Sequence, residues 1–278
     1  MIAASEDEAI ENIRDLTALF ANQGFMNPEV ADVDLSQFVP ESKIRTYEVH
    51  PLINSILDSN SEQIELLSMW APNMTTIVGR LGGATVGVLA NNPAHIAGVL
   101  DAAAGEKAAR FVRTCDAFGI PLIVIADVQG FLPGAGQEWE GAVRRGAKLL
   151  HAFGEAVVPR VTLITRRAYG GAYVAMNSKS LGATRVFAWP QAEVSVMGAV
   201  AAVRVLHRRL LADIPAEQRE AMELELAAEH EKVSGGVAKA IEIGAVDEMI
   251  TPAQTRSALA QSIANAPHRR GSHGNIPL

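Results

Sequence analysis

Hydrophobic and polar positions along the chain fall into short segments of two periods. Between Ser5 and Phe20, apolar residues recur at Ile10, Ile13, Leu16, Leu19 and Phe20, the spacing of an amphipathic helix. Ser5 stands where an N-cap belongs, and Glu8 completes a capping box. Residues Asn22–Ser42 hold two prolines, several acids and no sustained period, the composition of a connector. From Tyr47 the pattern changes. Thr75–Arg80 and Thr85–Ala90 are β-branched runs separated by Leu81-Gly82-Gly83-Ala84, a hairpin signal. A helix is predicted over Asp101–Phe118, then an apolar strand over Ile120–Val128. Glu138–Glu155 predicts the next helix, Val161–Thr165 the next strand, and another helix opens near Gly170. Arg185–Ala188 and Glu193–Val196 read as strands, Val203–Asp213 and Glu217–Val233 as helices, and Pro267–Leu278 as a polar tail.

Strands this apolar need helices on both faces, which places the chain in the α/β class. Two short strands followed by a helix, repeated, predict a ββα spiral, for which crotonase-like proteins are the main precedent. The expected organisation is an N-terminal helix and linker over residues 1–46 and one domain over residues 47–278.

Composition narrows the function classes. In 278 residues, 24 basic side chains face 31 acidic ones, a formal net charge of −7, and no basic stripe offers itself to a phosphate backbone. Nucleic acid is therefore not an expected partner. Cys115 is the only cysteine, so no internal disulfide can form and a reducing compartment is expected. Its place inside a predicted helix reads as a buried thiol. No N-terminal segment joins basic residues to an apolar core, and no apolar run approaches about 18 residues, so the expectation is a cytoplasmic protein with no membrane partner. The seven histidines are scattered without metal-ligand spacing, and no metal is expected. Nucleophile elbow and phosphate loop are both missing from the sequence.

What the chain offers instead is glycine where strands give way to helices. Asp127-Val128-Gln129-Gly130-Phe131-Leu132-Pro133-Gly134-Ala135-Gly136 leaves a buried strand, and Arg167-Ala168-Tyr169-Gly170-Gly171-Ala172-Tyr173 leaves the next. Small residues at a helix start let an anionic oxygen approach unpaired backbone N–H groups. The same residues also serve tight helix–sheet packing, and Gly130–Gly136 also reads as a plain surface loop. Residue pattern alone leaves both readings open.

These segments resemble the carboxyltransferase β-subunits of acyl-CoA carboxylases of the propionyl-CoA and acetyl-CoA type. The resemblance is carried by Glu106-Lys107-Ala108-Ala109-Arg110-Phe111-Val112-Arg113-Thr114-Cys115-Asp116, Phe131-Leu132-Pro133-Gly134, Arg145-Gly146-Ala147-Lys148-Leu149-Leu150 and Ala168-Tyr169-Gly170-Gly171-Ala172-Tyr173. Ala188-Trp189-Pro190, Val196-Met197-Gly198-Ala199 and the terminal His273-Gly274-Asn275-Ile276-Pro277-Leu278 extend it. It covers the C-terminal, carboxybiotin-side half of such a subunit, with Ser5–Ser42 resembling the inter-half linker. It implies transfer of a carboxyl group from carboxybiotin to the α-carbon of an acyl-CoA, with the biotin anion as base and no protein acid–base pair. The biotin would arrive on a separate carrier.

Residue by residue, the resemblance implies that backbone N–H groups of Gly171 and Ala172 hold the biotin ureido oxygen. It places Val174 where acyl-substrate preference is tuned. Gly130, Phe131, Gly134, Tyr173, Met197, Gly198 and Ala199 would shape the pocket. Implied partners are a CoA-binding N-half supplied by another polypeptide, a biotin carboxyl carrier protein, a biotin carboxylase and the acyl-CoA, in a hexamer-type assembly. Four departures stand out: Gln129 for proline, Ala201 for glycine near the pocket, Ser234-Gly235-Gly236 for an Asn-Pro-Tyr turn, and Ile243 for arginine. They keep two alternatives open, a non-catalytic subunit of a carboxylase complex and a biotin-dependent decarboxylase component.

Overall fold

Ser5 caps the first helix as its position requires: its hydroxyl accepts from Glu8 N–H at 3.2 Å. The Glu8 carboxylate returns to the N–H of Ala4, one residue before the cap. A computed structural model describes residues 2–42, 45–234 and 236–272, so the terminal motif His273–Leu278 and Gly235 lie outside the described residues. Helix α1 (Glu6–Ala21) lays Leu19 into the core. Residues 22–42, as composition suggested, hold no regular element beyond one turn at Ser36–Phe38. They are nevertheless packed, with Leu35 and Val39 buried.

The body follows in order as α2 (His50–Ile56), β1 (Ile64–Glu65), β2 (Met74–Leu81), β3 (Ala84–Asn91), α3 (Ala102–Phe118) and β4 (Leu122–Val128). Then come α4 (Ala135–Trp139), α5 (Ala142–Glu155), β5 (Arg160–Tyr169), α6 (Gly170–Ala175), β6 (Arg185–Ala188) and β7 (Glu193–Ser195). Helices α7 (Ala199–Leu206), α8 (Arg208–Ala212), α9 (Ala216–Ser234) and α10 (Val237–Glu242), strand β8 (Glu248–Met249) and helix α11 (Thr255–Ala264) complete it. The strands form one sheet in the order β1-β2-β3-β4-β5-β6-β8, with β7 added beside β5 off that path. β1, β2 and β3 pair antiparallel, and every later pairing is parallel. The β2–β3 turn puts Gly82 and Gly83 at positive φ, the backbone that the tightest hairpins require.

Both faces of the sheet are covered, which explains its unbroken apolar runs. Leu122, Val124 and Ala126 of β4 point to α3 and α5, among Phe111, Val112, Leu149 and Phe153. Alternate residues Ile123 and Ile125 point the other way, to Leu52, Ile53 and Ile56 of α2 and Leu259 and Ile263 of α11. α3 and α5 approach closely at Gly105 and Gly146, where a methyl on Gly105 would stand 3.2 Å from the Gly146 Cα. Glu106 ties the pair together by accepting from Arg145 at 2.8 Å and Lys148 at 2.5 Å. The Arg145 hydrogen bond first, then that of Lys148, holds its carboxyl down at about 2.

The predicted spiral is present, with one difference in how it is built. The ββα order occurs as β2-β3-α3 and again as β6-β7-α7. Between them, β5 is a single strand that bends. Ala126 pairs with Ile164, yet Val128 pairs with Ala168, so two steps on β4 match four on β5. Beyond this bulge, Arg167–Tyr169 pair with Glu193–Ser195 of β7. β5 therefore runs from Arg160 to Tyr169 rather than ending at Thr165, because Arg166 and Arg167 find a buried partner in Asp127. Two predicted helices are split. Gly141, at φ 76°, separates α4 from α5. The segment expected at Val203 begins at Ala199 and breaks at His207. Helices α2, α10 and α11 had no sequence prediction, although a capping box between Thr251 and Gln254 introduces the last.

Cys115 is buried, and burial pushes its thiol well above the ordinary range. It packs against β3 at Gly87, where an added Cβ would lie 2.6 Å from its Sγ. Gly87→Ala should cost about 1–3 kcal/mol through overpacking. Part of that loss should return in the Gly87→Ala/Cys115→Ala double variant, as measured by urea denaturation. Equal stabilities for the two variants would contradict this packing.

Candidate active site at the carboxyl ends of three parallel strands

β4, β5 and β7 are parallel neighbours, and their carboxyl ends lie together: Val128 pairs with Ala168, and Tyr169 with Ser195. Three chain segments leave this edge: Gln129–Gly136, Gly170–Ala172 and Val196–Ala199. The crevice beyond the carboxyl ends of parallel strands is where open α/β sheets place ligands. Here the sequence-predicted residues divide.

Gly170 and Gly171 do different jobs. Gly170 takes φ 57°, and a Cβ on it would lie 2.9 Å from the Val196 carbonyl oxygen, so glycine is required for the strand to turn into α6. An added Cβ on Gly171 would meet nothing within 4 Å, and the residue is exposed. By helical geometry the N–H groups of Gly170, Gly171 and Ala172 have no acceptor inside α6. The methyl of Ala172 is buried, which fixes the turn from beneath. Val174 is 38% exposed on the same helix.

The glycine loop is held at one end and open at the other. Leu100 N–H donates to Gly130 O at 3.0 Å, and Leu132 N–H to Leu100 O at 2.7 Å. The Phe131 ring rests on Gly146 of α5. Gly130 and Gly134 both have positive φ and open space where a Cβ would stand. The turn Met197-Gly198-Ala199 meets this edge from the other side, with Gly198 against the Tyr169 ring. Met197 and Ala199 also line an apolar cleft of about 680 Å³ together with Val205, Leu206, Ala240 and Ile243.

One expectation needs correction. Tyr173 does not line the crevice: it is buried in the core, its hydroxyl donates to Ala245 O at 3.0 Å, and burial, then the charge of Asp247, pushes it up to about 12. Helical spacing explains this, since Tyr173 lies two residues past the exposed Gly171 and one past the buried Ala172. Ala201, expected near the pocket, is exposed on α7 between Ala199 and Ala202, which line the cleft. Of the other departures, Gln129 is exposed at the loop entrance and Ile243 makes the cleft wall apolar.

Sequence reasoning missed two features next to this edge. Asp127 is fully buried between Arg166 Nε at 2.8 Å and Arg167 Nε at 3.0 Å. The available signal was an arginine pair ending an apolar strand, which needs a buried counter-charge. Ile96, Ala97 and Gly98 take φ 40°, 55° and 71° in succession, with Gly98 packed on the Asp127 carbonyl. Left-handed backbone at a β-branched residue is strained, and such strain gathers at functional sites. Among the described residues, no cluster of His, Cys, Asp and Glu could hold a metal, and no helix is long and apolar enough to cross a membrane.

The fold is a spiral α/β domain with glycine-rich turns at the carboxyl ends of its parallel strands. The particular family follows from comparison: residues 1–273 match the carboxyl transferase domain, and the chain belongs to that family. It is 57% identical over 281 residues to the biotin-dependent acetyl-/propionyl-coenzyme A carboxylase beta6 subunit of Mycobacterium tuberculosis, covering 100% of this chain and 59% of that protein. It is 49% identical to the propionyl-CoA carboxylase beta chain of Rhodococcus erythropolis, covering 99% and 59%. Transcarboxylase 12S, solved as a hexamer assembly with methylmalonyl-coenzyme A and methylmalonic acid bound, superposes with a TM-score of 0.89 at 37% identity, over 100% of this chain and 55% of that one. The chain thus spans under three fifths of the length of the curated relatives it matches.

One titratable network sits away from the crevice, where His50 bridges Glu48 (2.8 Å) and Glu65 (3.1 Å). The Glu65 hydrogen bond raises His50 to about 9 against burial, with Glu48 adding to it. A folded value above the unfolded one gives stability that is full below about 6.5 and is lost as pH rises through about 9. Urea midpoints should therefore separate wild type from His50→Gln at pH 6 and converge by roughly pH 10. A gap that widens with pH would contradict the assignment.

Proposed function

We propose that this chain is the carboxybiotin-side half of an acyl-CoA carboxyltransferase, working with a CoA-binding half. The observation that carries the reading is the open face of Gly171 at the carboxyl ends of β4, β5 and β7, in a chain of the carboxyl transferase family. The donor set fits the ligand: a neutral ureido oxygen that gains negative charge is served by fixed N–H groups and needs no metal. In this reading residues 47–278 form the working domain, and residues 1–46 connect it to what precedes it in longer relatives.

Carboxybiotin, brought on a separate carrier protein after a biotin carboxylase has loaded it, supplies the carboxyl group. The chain's own part is to bind and orient. N–H groups of Gly171 and Ala172 donate to the ureido oxygen and stabilise the charge that grows there as the carboxyl group leaves. Gly130 and Gly134 leave room for the ring, Val174 faces the acyl group, and the Met197–Ala199 turn closes the far side. The α-carbon of the acyl-CoA would give up a proton to the biotin nitrogen from which the carboxyl group departs and take that carboxyl group in its place. Exposed apolar side chains beside the glycine loop, Trp139 at 90% and Val143 at 85%, favour a partner surface there, in line with a multi-subunit, hexamer-type assembly.

The test is reconstitution. The chain should be inert alone toward acyl-CoA. It should incorporate label from bicarbonate into acid-stable product once ATP, biotin carboxylase, biotinylated carrier and a homologous CoA-binding half are added. An inert complete mixture, across acetyl-, propionyl- and longer acyl-CoAs, would refute the activity. In the active mixture, Gly171→Leu should lower kcat about 10²–10³-fold by filling the space over the amides. Unchanged turnover would show that the cradle lies elsewhere and would favour the non-catalytic role.

A further inference from the structure

Directly before Gly170, the chain passes through a buried charge cluster that the chemistry above does not use. Asp127 shares its two oxygens between Arg166 Nε and Arg167 Nε, and the arginines are only 2% and 7% exposed. Arg166 also donates from Nη1 to the carbonyls of Ser42 and Arg45, lies 4.7 Å over the Tyr47 ring, and has no hydrogen-bond partner for its buried Nη2 among the described residues. The Asp127 N–H donates to Asn91 Oδ1, and Asn91 Nδ2 to the carbonyl of Gly98, which follows the left-handed Ile96 and Ala97. Apolar residues would fill a strand bend at less cost than three buried charges and an orphaned donor.

The geometry points to a positioning device: we propose that Asp127, Arg166 and Arg167 are positioning residues that fix the direction in which β5 leaves its bulge, and so aim the N–H groups of Gly171 and Ala172. The bulge is where β5 loses register with β4, and both arginines lie in it. Past it there is little slack. Arg167 pairs with Glu193 and Tyr169 with Ser195, the Tyr169 hydroxyl donates to the Glu193 carboxylate, and Gly170 is held against Val196 O. A rotation at Arg167 is passed through two paired residues to the first turn of α6.

This inference rests on reading the Gly171 and Ala172 amides as the oxyanion cradle, and its test has an arm that does not depend on activity. Arg167→Met keeps the stem and removes the fork; Arg167→Lys keeps a charge. In the isolated chain, with folding checked by circular dichroism and thermal melting, Arg167→Met should shift the ¹H–¹⁵N resonances of Gly170 and Gly171, and Arg167→Lys should shift them less. In the reconstituted mixture, kcat of Arg167→Met should fall about 10²-fold. KM for acyl-CoA should change less than about threefold, and Arg167→Lys should recover much of the loss. Unmoved glycine resonances, or a kcat loss no larger than the loss of folded protein, would overturn the proposal. A wild-type mixture that stays inert would count against the enzymatic reading alone, since the resonance arm still decides whether the cluster aims these amides.

Discussion

A β-strand has two edges, and β5 pairs with three strands, so it must bend without breaking to pass one edge from β6 to β7. β5 does this at Thr165–Arg167, where it spends four residues against two of β4. The bend survives because Asp127 answers both guanidiniums from the neighbouring strand. On one side of it, Val161–Ile164 build the central sheet with β4 and β6. On the other, Arg167–Tyr169 turn to meet β7 and deliver Gly170 and Gly171 to the edge. Remove that pairing and the spiral, the glycine turn and the crevice lose their common support.

Much of this architecture was legible in the residues. The β-branched runs Thr75–Arg80 and Thr85–Ala90 around Gly82-Gly83 marked the hairpin almost to the residue. The apolar run to Val128 gave β4, and Ser5 gave the first cap. What escaped was decided by tertiary partners. Arg166 and Arg167 look like the end of a strand until Asp127 is placed opposite them. Gly141 breaks a helix whose apolar period continues past it, because the left-handed backbone there redirects the chain. α2 and α11 are short, and they earn their stability by covering one face of the sheet rather than by periodicity.

The candidate site divides the same way. Glycines in series pointed to the junctions of β4 and β5, and the pairings Val128–Ala168 and Tyr169–Ser195 bring those junctions together with the Met197–Ala199 turn. Sequence could not tell which faces were open. It grouped Tyr173 with Gly171, whereas one is buried with its hydroxyl on Ala245 and the other is bare. Nor could it see the run of left-handed residues Ile96–Gly98, since nothing in Ile-Ala-Gly announces strain. A site made of main-chain amides leaves its record in the small residues that keep the amides accessible. That is why glycine, rather than any titratable side chain, carried the signal.

The central claim concerns two hydrogen-bond donors and is tested most directly by seeing them occupied. A crystal structure of this chain with a CoA-binding half and a biotin ester should place the ureido oxygen about 2.7–3.1 Å from the amide nitrogens of Gly171 and Ala172. A biotin ring bound away from the carboxyl ends of β4, β5 and β7, with those two amides covered by protein, would contradict the account.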